Sequence, residues 1–399
     1  MDKPRILRPP QLLTIESGGE RHATWTELFY DLVFVVAVAG LASRLLHNAD
    51  WGGGLAFIGL FVPLWWAWAS FTFYVDRYDT DDAAQRLLAI VQMIAIAFMA
   101  VSISGDVADT SIGYALSYLV ARLALLAMYA RARRHVHATR ELVTGYLKGF
   151  SVELIPWIAS LFVPTPWRYV LWAVGLAISF YTPWAVRKIQ AKVPLDVAHL
   201  PERFGLFTIL VLGESIAAVV AGLSHHEWAL APSVTGALAV IVAAGLWWMY
   251  FDNQEGSVVR RDPALERAWK PTVWIFTHLP LAMALTAVGV GLDLAVEHDA
   301  GHALGAAERW LLVLAVGGSI LSMAVIHIAT QSASGNHPLK ARVRLVLTAA
   351  TLVVGLLGAS LSPLVLVSLM AVIVAIGVAS DITINNFEHR ANALAARVD

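Results

Sequence analysis

Glu20-Arg-His-Ala-Thr-Trp-Thr-Glu27-Leu-Phe-Tyr-Asp31-Leu-Val-Phe-Val-Val-Ala-Val-Ala-Gly-Leu41 decides how this chain is read. It starts with charge and a helix-start signal, then runs apolar to Leu46, long enough to enter a bilayer. Thr24-Trp-Thr-Glu27 has the spacing of a capping box, in which a threonine hydroxyl and a glutamate three residues on satisfy free N–H groups of the first turn. Asp31 lies one helical turn beyond Glu27, so both acids share a face. It is seven residues past Thr24, or ~10 Å along a helix, which no cap reaches. Ionisable side chains at membrane depth are costly and mark functional candidates.

A second copy of this stretch stands 182 residues later, as Glu202-Arg-Phe-Gly-Leu-Phe-Thr-Ile-Leu-Val-Leu-Gly-Glu214-Ser-Ile-Ala-Ala-Val-Val-Ala-Gly-Leu223. Eight of 22 positions are identical without a gap, among them the Glu-Arg pair, a threonine and the closing Gly-Leu. The repetition predicts an internal duplication, with a first half over 1–190 and a second over 191–399. The ends of the second spans agree: Phe71-Thr-Phe-Tyr-Val-Asp76 matches Trp247-Trp-Met-Tyr-Phe-Asp252. An interfacial aromatic belt accounts for such clusters and for most of the 15 tryptophans.

The composition fixes the class. Of 399 residues, 58% are hydrophobic and 14% charged, against about 25% charged in soluble domains. Without cysteine there is no disulfide framework and no thiolate metal site. A net charge of -1 argues against nucleic acid as a partner. Residues 1–20 have charges and prolines but no apolar core, so the first membrane helix is expected to serve as its own insertion signal.

Twelve apolar stretches qualify as spans: about 25–46, 52–75, 86–104, 112–131, 145–163, 168–187, 204–223, 232–251, 271–292, 309–329, 343–360 and 363–381. With both termini inside, 24 of the 28 lysines and arginines fall at the cytoplasmic side and only Arg44, Arg168 and Arg309 at the outer ends. The expected fold is therefore an all-α polytopic membrane protein of about twelve transmembrane helices in two parallel six-helix repeats, with both termini cytoplasmic.

Five residues stand out as candidates for a transport path or an ion or proton site: Glu27, Asp31, Arg122, Glu214 and His278. Glu214 is ~16 Å beyond Arg203, near the bilayer midplane, between Gly213 and Ser215. Small residues there permit close helix approach or leave room for water or an ion, and a neutral hydrogen-bonded glutamate is the alternative. Arg122 lies ~13 Å from the inner end of its span, at the depth of Asp31, so a buried Arg122–Asp31 ion pair is expected, which would make Asp31 a counter-ion. His278, in Thr-His-Leu-Pro280, stands beside a residue that opens helices, and serves either as a proton site or as a packed histidine with one hydrogen bond. His327, Gln92 and Glu153 are weaker instances of the same kind.

Arg131-Ala-Arg-Arg-His-Val-His-Ala-Thr-Arg140 is a basic run suited to topology control and to anionic headgroups. His135, His137, His225 and His226 lack a third ligand at useful spacing, so no metal and no cofactor are expected. The expected partners are membrane lipids and an unidentified ion or small solute, and a homodimer is compatible with the pattern.

At Trp25-Thr-Glu-Leu-Phe-Tyr-Asp-Leu-Val-Phe34, His199-x-x-Glu202-Arg203-Phe-Gly-Leu-Phe-Thr-Ile-Leu-Val-Leu-Gly-Glu214-Ser215 and His278-Leu-Pro280 the chain resembles the bacterial low temperature requirement A family. That resemblance implies a multi-pass membrane protein named for growth in the cold, with no established substrate and no catalytic residue to carry over. Phe29-x-Asp31-x-Val33-Phe34-x-x-Ala37 also looks like the first-helix signature of lysosomal-type potassium channels, which are built from six-helix units. Tyr30 replaces that signature's serine, and the motif does not recur in the second copy.

Transport of an ion or small solute past buried acids is the leading expectation. The rival is a membrane enzyme acting on a lipid or isoprenoid, with Asp76, Asp79, Asp81 and Asp82 binding metal and phosphate, though that acidic loop reads more simply as a solvated connection. A non-transporting scaffold is the third reading.

Overall fold

The computed structural model describes residues 8–13, 23–79, 82–190, 199–224, 229–252, 269–298, 302–330 and 337–395. Arg21, Asp81, His225, His226 and most of the 252–270 connection lie outside the described residues. In chain order come β1 (Gln11–Leu12), α1 (Trp25–His47), α2 (Trp51–Arg77), β2 (Tyr78–Asp79), α3 (Ala83–Ser104), α4 (Val107–His135), α5 (Arg140–Ser160), α6 (Trp167–Ala185), α7 (Arg187–Gln190), α8 (His199–Ser224), α9 (Leu230–Phe251), α10 (Trp269–Glu297), α11 (Ala306–Thr330), α12 (His337–Leu357) and α13 (Pro363–Ala395). This is an all-α polytopic membrane protein.

A helix stands at each of the twelve expected spans, and ten of them are long and apolar enough to cross a membrane. The two that fall short are α5 and α6. Arg140, Glu141, Lys148 and Glu153 dilute the apolar character of α5. In α6 only 19 residues are helical, among them Arg168, three tryptophans and two tyrosines.

The chain forms two compact units. Unit 1 comprises residues 1–41 and 59–203. Its helices α3 to α6 pack in sequence, each against the next. Trp65, Trp66, Trp68 and Trp157 are fully buried here, and Tyr30 stacks on Phe71 with ring centroids 3.9 Å apart. These rings are core rather than belt. The belt reading holds for Trp25, Trp51, Trp167, Trp184, Trp247 and Trp248, which are exposed near helix ends.

The segment before α1 is tied back onto unit 1. Gln11 and Leu12 pair antiparallel with Asp79 and Tyr78, and the Leu13 N–H donates to the Arg77 carbonyl at 3.0 Å. Asp82 caps α3 through the Gln85 N–H at 3.0 Å, accepts from the Arg8 N–H at 3.0 Å and pairs with the Arg131 guanidinium. Burial alone would raise its pKa, but Arg131 and the two N–H donors hold it below the usual aspartate value. The expectation of a solvated acidic loop is corrected at both ends: Asp76 and Asp82 are buried. An unpaired carboxylate does belong in water, but these two have cationic and N–H partners that local sequence does not reveal.

Unit 2 comprises residues 42–58 and 204–399. Helices α10 to α13 again pack in sequence, and α9 packs on α13. Small residues bring backbones together: a Cβ on Gly289 would lie 2.7 Å from the Ser215 Cα, and one on Gly291 2.9 Å from the Leu312 Cα. Pro280 and Met283 of α10, with Leu45, Trp51, Leu55 and Leu311, line an apolar cavity of about 430 Å³ in this unit.

Candidate functional site

The acids that open the chain's first membrane helix are gathered in unit 1. Glu27 makes the capping box its spacing predicts: the Glu27 N–H donates to Thr24 Oγ1 at 3.3 Å, and Glu27 Oε2 accepts from the Thr24 N–H at 3.3 Å. The same oxygen lies 3.2 Å from His199 Nε2 and 3.9 Å from Arg203 Nη1. One turn deeper, Asp31 Oδ1 accepts from Arg203 Nη2 at 2.7 Å and from Trp68 Nε1 at 2.8 Å. Asp31 Oδ2 is buried and takes no hydrogen bond, and Arg203 Nε and Nη1 make none either. On the far edge of the imidazole, His199 Nδ1 lies 3.2 Å from Asp76 Oδ1, near the end of α2.

Helix periodicity assembles this site. Glu27 and Asp31 project one turn apart from α1, and His199 and Arg203 one turn apart from α8, so each acid meets a base of matching register. Three carboxylates face one guanidinium and one imidazole. All five polar side chains are at most 3% exposed, so water screens these charges little. Among the described residues no group of three histidine or acidic side chains is arranged to hold a metal ion.

Arg122 does not pair with Asp31. Its Nη2 lies 2.6 Å from Glu153 Oε2 and 3.1 Å from Ser179 Oγ, and its guanidinium sits over the Phe150 ring at 4.6 Å. Tyr118 donates to Glu153 Oε1 at 2.7 Å, Ser179 donates to Oε2 at 2.6 Å, and Trp66 Nε1 donates to Ser179 Oγ at 2.6 Å. Depth along the membrane put Arg122 and Asp31 level, but depth does not fix which way a helix turns. The face of α4 that carries Arg122 meets α5 and α6.

His278 is a satisfied core histidine. Nδ1 donates to the Trp274 carbonyl at 2.7 Å, and Nε2 lies 3.0 Å from the Tyr250 hydroxyl, a pattern the neutral ring fills completely. Rings of Phe204, Trp274 and Tyr250 surround it. Glu214 is half-buried in unit 2 and makes no hydrogen bond or ion pair with a described residue. Ser215 turns inward and donates to the Leu285 carbonyl at 3.0 Å, while a Cβ on Gly213 would meet open space. Gln92, a weaker candidate, accepts from the Tyr30 hydroxyl at 2.6 Å.

Sequence reasoning missed His199, Arg203, Asp76 and Trp68 as members of the site. The signal for two of them was available, because His199 and Arg203 repeat the four-residue spacing of Glu27 and Asp31. Unit 2 buries its own guanidinium: Arg344 Nη2 lies 2.9 Å from Asp381 Oδ2 and 2.9 Å from the Met249 carbonyl.

A family model described as bacterial low temperature requirement A protein matches residues 22–379. An uncharacterized protein of Rhizobium meliloti (strain 1021) is 26% identical over 323 residues, which cover 77% of each chain. The match covers every residue of the buried cluster. The chain belongs to the bacterial low temperature requirement A family.

Proposed function

We propose that this multi-span membrane protein transports an ion or small solute of positive charge, a proton or a small cation, along a path lined by the acids of unit 1. The open oxygen of Asp31 carries the reading. An acid at this depth is disfavoured, at roughly 3 kcal/mol in a membrane helix, and an oxygen left unfilled there suits a positive partner that comes and goes. Asp31 Oδ2, buried and without a hydrogen bond, is the atom best placed to meet such cargo. Glu27 serves both as cap and as lining; Arg122 and His278 are structural in this reading, and Glu214 stands as a separate candidate in unit 2.

The enzyme reading loses its support. It needs Asp76 and Asp82 free at one face for metal and phosphate, whereas Asp76 faces His199 and Asp82 is taken up by Arg8, Gln85 and Arg131. The lining of the unit 2 cavity is apolar apart from Asp50, which suits a charged cargo poorly. The strong lysine and arginine asymmetry favours an inner-membrane protein with both termini cytoplasmic. Sequential packing of α3–α6 and of α10–α13 is what two parallel six-helix repeats would produce.

Flux into liposomes holding the purified protein, across a panel of protons, monovalent cations and small organic cations, tests the proposal. Wild type should carry at least one cargo above empty liposomes, and Asp31→Asn, folded and monodisperse, should lose that flux. Wild type at the empty-liposome rate, or Asp31→Asn at the wild-type rate, sinks it.

A further inference from the structure

We propose that the cavity of unit 2 is a lipid site, which takes one acyl chain of a bilayer phospholipid and holds that lipid's ammonium headgroup at Asp50. It is independent of the transport reading. The room comes from small side chains. Gly54 of α2, Ala284 and Ala287 of α10, and Ala307, Ala315 and Gly318 of α11 line the cavity. A Cβ on Gly54 would meet nothing within 4 Å, so the space begins at the backbone of α2. Between α10 and α11 the wall is closed, since a Cβ on Gly318 would lie 3.5 Å from the Ala284 Cβ. At about 430 Å³ the cavity has the size of a ligand pocket. Protein interiors keep few voids larger than a water molecule, because the lining of a void loses its packing contacts. Water is a poor occupant where the walls offer it no hydrogen-bond partners.

The opening and the rim select the occupant. Leu55, Ile58 and Leu314 line the cavity and are 72%, 47% and 47% exposed. They stand in α2 and α11, which are long and apolar enough to cross a membrane. Ile58 is seven residues into α2 and Leu314 eight into α11, or ~10 and ~12 Å from the helix ends. Apolar side chains exposed at that depth face hydrocarbon, so the cavity opens sideways to the bilayer and a lipid chain enters without crossing water. Along α11 the lining runs from Ala307 to Gly318, ~17 Å. That is about one leaflet of a ~30 Å hydrocarbon core, the reach of a single acyl chain from interface to midplane. At the rim stands Asp50, exposed in the turn between α1 and α2, and among the described residues it is the one charged side chain of the lining. Its Oδ1 accepts from the Gly53 N–H at 2.7 Å, and a carboxylate has lone pairs to spare for an ammonium. Beside it Trp51, 63% exposed, is of the type that anchors at headgroup level. A carboxylate there attracts the amine of phosphatidylethanolamine and repels a headgroup of net negative charge.

Photo-crosslinking of the full chain tests this, in liposomes of equal parts phosphatidylethanolamine and phosphatidylglycerol. Trace probes carry one diazirine-bearing acyl chain on either headgroup or as the free fatty acid. Wild type should be labelled at residues 280–287 and 311–318, with the amine lipid ahead of the anionic one by ~2–5-fold, the scale of one exposed ion pair. Asp50→Asn keeps the cap on α2 and should bring the two phospholipids level with chain labelling retained. Gly54→Leu grows into the open space and should cut that labelling by about tenfold. Labelling at the exposed Ile90, Ile94 and Phe98 of α3 should not change in either variant. Absent labelling at α10 and α11 in wild type, equal labelling by the two phospholipids, or wild-type labelling in Gly54→Leu overturns the proposal. Stronger labelling by the free fatty acid than by either phospholipid overturns it too. The wild-type comparison needs no variant, so the proposal can fail even if Gly54→Leu does not fold.

Discussion

Unit 1 buries a guanidinium against a carboxylate at Arg122–Glu153 and at Arg203–Asp31, and the two carboxylates are filled differently. Glu153 accepts on both oxygens, from Tyr118 at 2.7 Å on one and from Arg122 and Ser179 at 2.6 Å on the other. Asp31 accepts on Oδ1, from Arg203 and Trp68, and takes no hydrogen bond on Oδ2. The guanidinium sides do not differ, since Nε and Nη1 of both Arg122 and Arg203 make no hydrogen bond. A carboxylate filled on both oxygens has no use for a further positive partner, and one with an open oxygen does. Burial of a charge is therefore a poor guide to function, and the count of unfilled acceptor atoms is a better one.

The largest effect should come from breaking the Arg122–Glu153 pair. Arg122→Leu or Glu153→Leu alone should destabilise by about 3–5 kcal/mol, and the double substitution should recover most of the loss. Denaturant unfolding in detergent gives the numbers. Additive losses would show that the network, not the charge pair, holds α4 to α5 and α6.

Amide substitutions set the two places against each other on equal terms. Glu153→Gln strands Arg122 with no second acid among its hydrogen-bond partners. Asp31→Asn leaves Arg203 within 3.9 Å of Glu27, so its cost should be the smaller, about 1–2 kcal/mol. Equal losses of thermal stability in the two variants would return Asp31 to the rank of a structural counter-ion and break the comparison.

The smallest effect concerns pH at the strap before α1. Asp82 has a pKa held below the ordinary aspartate value, so its contribution is fully present above the ordinary value and is lost as pH falls through the lowered one. Exchange protection of residues 8–13 should drop on acidification. Asp82→Asn should abolish that pH response and cost about 1 kcal/mol of capping. An unchanged pH response in Asp82→Asn would assign the drop to a global acid transition instead.

Several features of the site were legible before any coordinates. The capping box at Thr24 and Glu27 forms as read, because its partners lie three residues apart and one turn of helix brings them together. Asp31 was correctly excluded as a cap. The alternative of a packed His278 with one hydrogen bond was legible too, although its second partner Tyr250, 28 residues away, was not.

Hydropathy, length and local spacing determined the helices, since a span needs only enough consecutive apolar residues and a cap only its near neighbours. Partnership between helices was decided by the tertiary structure alone. Arg122 and Asp31 share a depth, yet Arg122 meets Glu153, 31 residues on, while Asp31 meets Arg203, 172 residues on. Sequence supplies each side chain's height along its helix. The rotation of that helix about its own axis, and the identity of its neighbours, come from packing summed over the whole unit, and those two quantities choose which charges touch.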